Sequence, residues 1–132
     1  MGYSTLAFKV LTDDSHGALF MAEQHMKQRG GPPLHKHPHQ DEMFYVLEGD
    51  FIIEVGGKRH TLHAGDSVLA PRNVPHVWAC VGEGTGRMLI AFTPAGKMEA
   101  FFNKVSATHA PLQDAALFSD HDMVLLGPPL AV

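Results

Sequence analysis

The chain holds one cysteine, Cys80, one tryptophan, Trp78, and only two tyrosines. A lone cysteine excludes an internal disulfide and a structural zinc site built on thiolates, so stability has to come from the core or from a metal held by other residues. No apolar run approaches the roughly 20 residues a helix needs to cross a bilayer. No cluster of Lys or Arg stands out, and ten basic against fourteen acidic residues leave a formal net charge of −4. Nucleic acid and anionic membrane surfaces are therefore not expected partners. The segment MGYSTLAFKV lacks a basic stretch followed by a long apolar run. No secretory signal is read there, and a cytoplasmic protein is expected. Neither repeats nor a low-complexity linker divide the 132 residues, so a single domain over 1–132 is expected.

Glycine and proline, by contrast, are plentiful and spread along the chain, as suits many short strands joined by tight turns. Residues 4–10 and 17–27 read as strands separated by a polar turn. In the second, Phe20, Ala22, Gln24 and Met26 share one face, while Leu19, Met21, Glu23 and His25 share the other. Gly30-Gly31-Pro32-Pro33 breaks the pattern. The runs EMFYVLEG and DFIIEVGG then read as successive strands of a meander. Gly56-Gly57 turns the chain into a strand over 58–62, and shorter strands follow at 67–70, 75–81 and 87–93. Met98, Phe101, Phe102 and Val105 stand at helical spacing, with Thr93-Pro94 as the expected cap of a helix over 94–107. A second short helix is expected over 112–118 and a closing strand over 124–126. Strands first and helices late indicate an all-β sandwich or barrel with one or two C-terminal helices packed outside.

Ten histidines in so short a chain ask where they cluster, and the answer is LHKHPHQDE. Residues two apart on a strand point the same way, so His35 and His37 can present both imidazoles to one point. Glu42 lies an odd number of positions beyond His37, and a bend or bulge at Pro38 is needed to turn it back. His76, in a proline-flanked turn entering a strand, is well suited as a fourth donor. His39 shares parity with His35 and His37; it competes with Glu42 for the metal or serves beside the site as a supporting residue. Three imidazoles and a carboxylate suit a single divalent transition ion, Fe, Mn, Ni, Cu or Zn.

The spacing resembles the two motifs of the cupin superfamily. His35-Lys36-His37 is followed after four residues by Glu42 and after six more by Gly49, and Gly65 is followed after five residues by Pro71 and then by His76. The motifs span about 30–49 and 65–80. Gly30 stands one residue closer to His35 than the pattern asks, Asn73 replaces a glycine, and Cys80 stands where the family often has Asn. Asn tolerates left-handed φ/ψ best among non-glycine residues, so the turn is expected to survive. The resemblance implies a double-stranded β-helix, the jelly-roll or cupin barrel, with His35, His37, Glu42 and His76 as metal ligands.

Phe44, Val46, Phe51, Ile53, Val68, Trp78, Met88, Ile90 and Phe92 are expected in the core; Phe44, Val46, Phe51, Trp78 and Cys80 are expected to line a substrate pocket, and Arg72 is placed to steer an acidic or phenolic substrate. Among single-domain members, this ligand set with an apolar interior looks like the bacterial quercetin 2,3-dioxygenase type. That likeness implies a metal-dependent dioxygenase acting on a small enol, phenolic or flavonol-like substrate, with Glu42 both ligand and general base. The alternatives are a non-redox isomerase or lyase of a sugar or small acid, and a non-catalytic module that binds a small molecule through its metal. A homodimer joined through the N-terminal strand is expected, because open sheet edges need protection.

Overall fold

The structure is a computed structural model that describes residues 4–108 and 114–132. Its strands are β1 (Ser4–Val10), β2 (Phe20–Met26), β3 (Pro33–Lys36), β4 (Asp41–Glu48), β5 (Phe51–Val55), β6 (Lys58–Leu62), β7 (Ser67–Ala70), β8 (His76–Cys80), β9 (Gly86–Thr93) and β10 (Val124–Pro129). Two helices, α1 (Met98–Thr108) and α2 (Ala115–Ser119), separate the last two strands. One sheet has the order β1-β2-β9-β4-β7 and the other β10-β3-β8-β5-β6. All the strand pairings are antiparallel. No described helix is long and apolar enough to cross a membrane.

Period-two alternation builds the wall of the barrel. Phe20, Ala22 and Met26 of β2, Met88, Ile90 and Phe92 of β9, and Phe44 and Val46 of β4 are all buried, as are Phe51 and Ile53 from the opposite sheet. Each large side chain so enclosed contributes about 1.5–3 kcal/mol relative to exposure, before the entropy of ordering it is counted. Strand β8 is buried at every position, as befits a strand with neighbours on both sides and cover on both faces.

Several expectations need correction. β4 and β5 do not form a meander: they belong to opposite sheets, and β5 pairs with β6 and β8. Alternation is the same whether a chain turns back along its own sheet or crosses to the facing one, so the pattern could not separate the two. Gly49, at φ 82°, makes the crossing; a Cβ there would stand 2.8 Å from the Thr85 carbonyl oxygen. Nor does Thr93 cap the helix. It is the last residue of β9, paired with Asp41 of β4, and α1 begins only at Met98. The sheet ladder holds Thr93 in extended backbone. The second helix is shorter than read, capped by Asp114, whose carboxylate accepts from the Ala116 and Leu117 amides; Leu112 lies outside the described residues. β10 runs past Leu126 through Gly127-Pro128-Pro129. Prolines are tolerated there because β10 is the outer strand of its sheet.

The apolar stripe of α1 turns inward. Met98, Phe101 and Val105 are buried and join the same core cluster as Phe20, Phe92 and Phe118. The two helices thus lie outside the sheets and cover one open side of the barrel, above the histidines.

Candidate metal centre

His35 lies on β3 and His76 opens β8, where the two are directly opposed across the ladder. His37 is one residue beyond β3. From there the chain leaves its sheet and crosses to the other, entering β4 at Asp41, so that Glu42 faces the histidines from the opposite wall. The expected bend at Pro38 is therefore a change of sheet rather than a bulge within one strand. Asn73 adopts the left-handed conformation, φ 66°, and its amide donates to the His37 carbonyl at 2.8 Å. The loop before His76 is thereby tied to the end of the strand that carries the other two imidazoles.

One donor atom from each of His35, His37, Glu42 and His76 lies within 4.8 Å of all the others, and all four residues are buried. Glu42 Oε1 stands 3.0 Å from His76 Nε2 and 3.1 Å from His37 Nε2. The His35 Nδ1–H donates to the Pro33 carbonyl at 2.7 Å, which fixes the tautomer and leaves Nε2 as the free lone pair. His76 is oriented in the same way by the Val74 carbonyl, 3.1 Å from its Nδ1.

Burial works against charge on Glu42, but the His37 and His76 imidazoles beside it outweigh that and hold the carboxyl down at about 2. Burial, then repulsion from His76 and His37, pushes His35 down to about 3. Burial also opposes charge on His76, yet the Glu42 carboxylate raises its pKa. The cluster thus sets an ionised carboxylate among three imidazoles, at the place where a cation would sit.

A metal fits these residues on one further observation. Both ring nitrogens of His37 are buried without a hydrogen-bond partner. Its Nε2 is near the Glu42 oxygen but not aligned with it. A buried imidazole left unpaired costs about 1–3 kcal/mol, and coordination would repay it. Three nitrogens and one carboxylate oxygen are a borderline-soft set that suits divalent first-row ions.

The cluster opens onto a cavity. Trp78, Ile90, Phe92, Phe101, Phe102 and Phe118 supply much of its wall, with Met26, Met98, Met123 and Val105 between them. Polar lining beyond the cluster comes from Ser4, Thr5, Gln24 and Ser106.

Residues 22–92, more than half of the chain, match the pattern of the cupin domain. The chain belongs to the cupin family. Among curated proteins, this cupin is 30% identical over 60 residues to the polyketide synthase CurC of Streptomyces cyaneus, a match covering 46% of this chain and 39% of that protein. It therefore spans about two-fifths of the length of that relative. Among solved structures it is similar to an RmlC-like cupin from Shewanella frigidimarina, with TM-score 0.61 and 25% identity over 75% of this chain and 83% of that one. It also resembles the polyketide cyclase RemF from Streptomyces resistomycificus, with TM-score 0.58 and 24% identity over 69% of this chain and 65% of that one.

Within this cupin, the residues expected to line a pocket separate into three groups. Trp78 does line the cavity. Phe44, Val46, Phe51 and Cys80 are wholly buried in the core and form no part of the cavity wall; Phe44 instead backs the His76 ring, 5.9 Å between centroids. They share inward parity with wall residues but sit where facing side chains fill the barrel completely. Arg72 is outside, exposed and paired with Asp41 at 3.1 Å, so it does not reach the cavity. His39 is exposed on the crossover and stands apart from the four-residue cluster. Its parity argument fails because the chain is no longer a strand there.

Among the other histidines, His63 pairs with Asp50 on the surface, and His121 is buried against Phe101, while His109 lies outside the described residues. The α1 residues Phe101 and Phe102 both pack against the core and line the cavity. Gln24, between Ala22 and Met26 on the buried face of β2, also lines the cavity; because both faces of β2 hold apolar residues, the sequence does not mark it.

Proposed function

We propose that this cupin is a metal-dependent oxygenase acting on a small enol or phenol held against the aromatic wall of the cavity. One observation carries this reading: a buried set of three histidines and a glutamate opens directly onto an apolar, aromatic-lined space. A divalent ion held by His35, His37, Glu42 and His76 would supply Lewis acidity toward a substrate hydroxyl and, if redox-active, a route to O2.

The protein's own residues set the rest. Pro33 and Val74 carbonyls hold two of the imidazoles in register, so little reorganisation is needed on binding. Glu42, kept ionised, is first a ligand. Any base role of Glu42 would rest on a bound ion first acidifying the substrate hydroxyl. Trp78, Phe92, Phe101 and Phe118 present flat apolar surface that favours an aromatic ring over a sugar and excludes water from the reacting end.

The experiment is oxygen uptake by protein loaded with Fe, Mn, Ni, Cu or Zn in turn, using a flavonol and the enol of a 1,3-diketone as probes. Uptake that needs the metal and is lost in Glu42→Ala supports the reading. A second reading, non-redox ring closure, draws on the names of CurC and RemF, both of which concern polyketides. Conversion of the diketone under nitrogen, without oxygen uptake, would favour it over the first. We also propose a homodimer joined along β1, the outer strand of its sheet; a light-scattering mass equal to one chain would overturn that.

A further inference from the structure

The end of the cavity formed by β1 and β2 carries a second polar feature that the metal chemistry does not use. Gln24 is on the inward face of β2 between Ala22 and Met26, 6% exposed, in a row that is otherwise apolar. Its side chain lines the same cavity as the metal cluster. The amide nitrogen donates to Ser4 Oγ at 2.9 Å and lies 3.7 Å from Met26 Sδ. A thioether sulfur accepts and cannot donate, so the contact with Met26 fixes which end of the amide is the NH2. The carbonyl Oε1 is left with no hydrogen-bond partner among the described residues.

Strand register gives the distance. Phe92 of β9 pairs with Phe20 of β2 on one side and with Glu42 of β4 on the other. Gln24 lies four residues further along β2 than Phe20, about 13 Å at the usual rise of a strand. Gln24 and the metal cluster therefore line one aromatic-walled cavity at different levels along the strands.

We propose that Gln24, held by Ser4, is a substrate-binding residue that accepts a hydrogen bond from a second hydroxyl at the far end of an elongated aromatic phenol. This deepens the reading of the cluster as a metal site that takes an ionised oxygen, and rests on it. The substrate class narrows to flat molecules with hydroxyls at both ends. Simple monophenols fill the wall but leave Oε1 unpaired.

The test compares 2-naphthol with 2,6-dihydroxynaphthalene as probes on zinc-loaded protein, with affinity read by calorimetry and by quenching of Trp78, the sole tryptophan. Wild type should bind the diol about tenfold more tightly than the mono-ol. Gln24→Leu should remove that preference and leave 2-naphthol binding within about twofold, which also shows that the variant is folded. Gln24→Glu, which keeps the acceptor, should retain the preference. Metal-dependent binding of both probes with equal affinity in wild type, or a preference that survives Gln24→Leu, overturns the role of Gln24 and leaves the metal reading standing. Binding of neither probe, or binding of both that is indifferent to zinc, overturns the metal reading and the subsite with it.

Discussion

His35 and His76 face one another across neighbouring strands with ring centroids 4.6 Å apart, each with Nδ1 turned to a backbone carbonyl two residues before it. The backbone therefore orients both rings before any ion arrives. Replacing either by Ala removes a donor, and His76→Ala also takes away the hydrogen-bond partner of Glu42. Each variant is expected to lose bound metal by at least about tenfold in affinity. Competition with a chromogenic chelator measures this, and an affinity unchanged in His76→Ala would remove that residue from the ligand set.

The pH dependence of the metal-free protein follows from the same cluster. In the folded chain His35 titrates at about 3 against 6.5 in its ordinary state. Between those values the unfolded chain takes up a proton that the folded chain refuses, so this contribution is full above pH 6.5 and is lost as pH falls toward 3. Glu42, at about 2 against 4.5, adds a loss of the same sign below pH 4.5. His76, raised above 6.5, acts oppositely: its contribution is present below pH 6.5 and fades as pH rises through its folded value. Thermal melts in chelator should therefore peak near pH 6.5 and fall on both sides, by at most about 1.4 kcal/mol per pH unit per group. With metal bound, the proton on His76 is displaced and the alkaline decline should vanish. A melting temperature that climbs steadily from pH 6.5 down to 4 would contradict this account.

Asn73 supplies a sharper local test. Its backbone is left-handed, and its amide ties the loop to His37. Asn73→Gly should be nearly neutral, since glycine adopts that conformation freely, whereas Asn73→Val should cost about 1–2 kcal/mol and loosen the approach of His76. Urea denaturation of both variants decides it; equal destabilisation would show that the conformation is not what matters there.

Gly31 is constrained by contact rather than by φ. A Cβ at this position would stand 2.0 Å from the Trp78 carbonyl oxygen, a backbone atom that cannot rotate away. Gly31→Ala should therefore push β8 outward, cost about 1–3 kcal/mol and shift the emission of Trp78. A variant with wild-type stability and emission would show that the cavity wall yields more easily than its packing implies.

The barrel was legible because alternation is written into the chain: the inward residues of β4 and β9 stand at every second position, whereas on β2 both faces hold apolar residues and neither declares itself inward. The pair His35 and His37 was legible for the same reason. Glu42 was not reachable by that rule, since its orientation comes from a chain that changes sheets between His37 and Asp41. The same blindness made β4 and β5 look like partners. Along α1 the stripe of Met98, Phe101, Phe102 and Val105 marked a buried face, but a stripe does not say whether it faces a solid core or a cavity. Phe44 and Phe92 show the converse: both point inward, and only the positions of their neighbours decide which of them meets open space.

The central claim is that His35, His37, Glu42 and His76 hold one transition-metal ion. The most direct measurement is the metal content, by mass spectrometry, of protein purified without added metal, alongside His35→Ala and Glu42→Ala prepared identically. Close to one equivalent of a single first-row metal in wild type and near none in either variant is the expected result. Metal content that is unchanged in both variants would contradict the account.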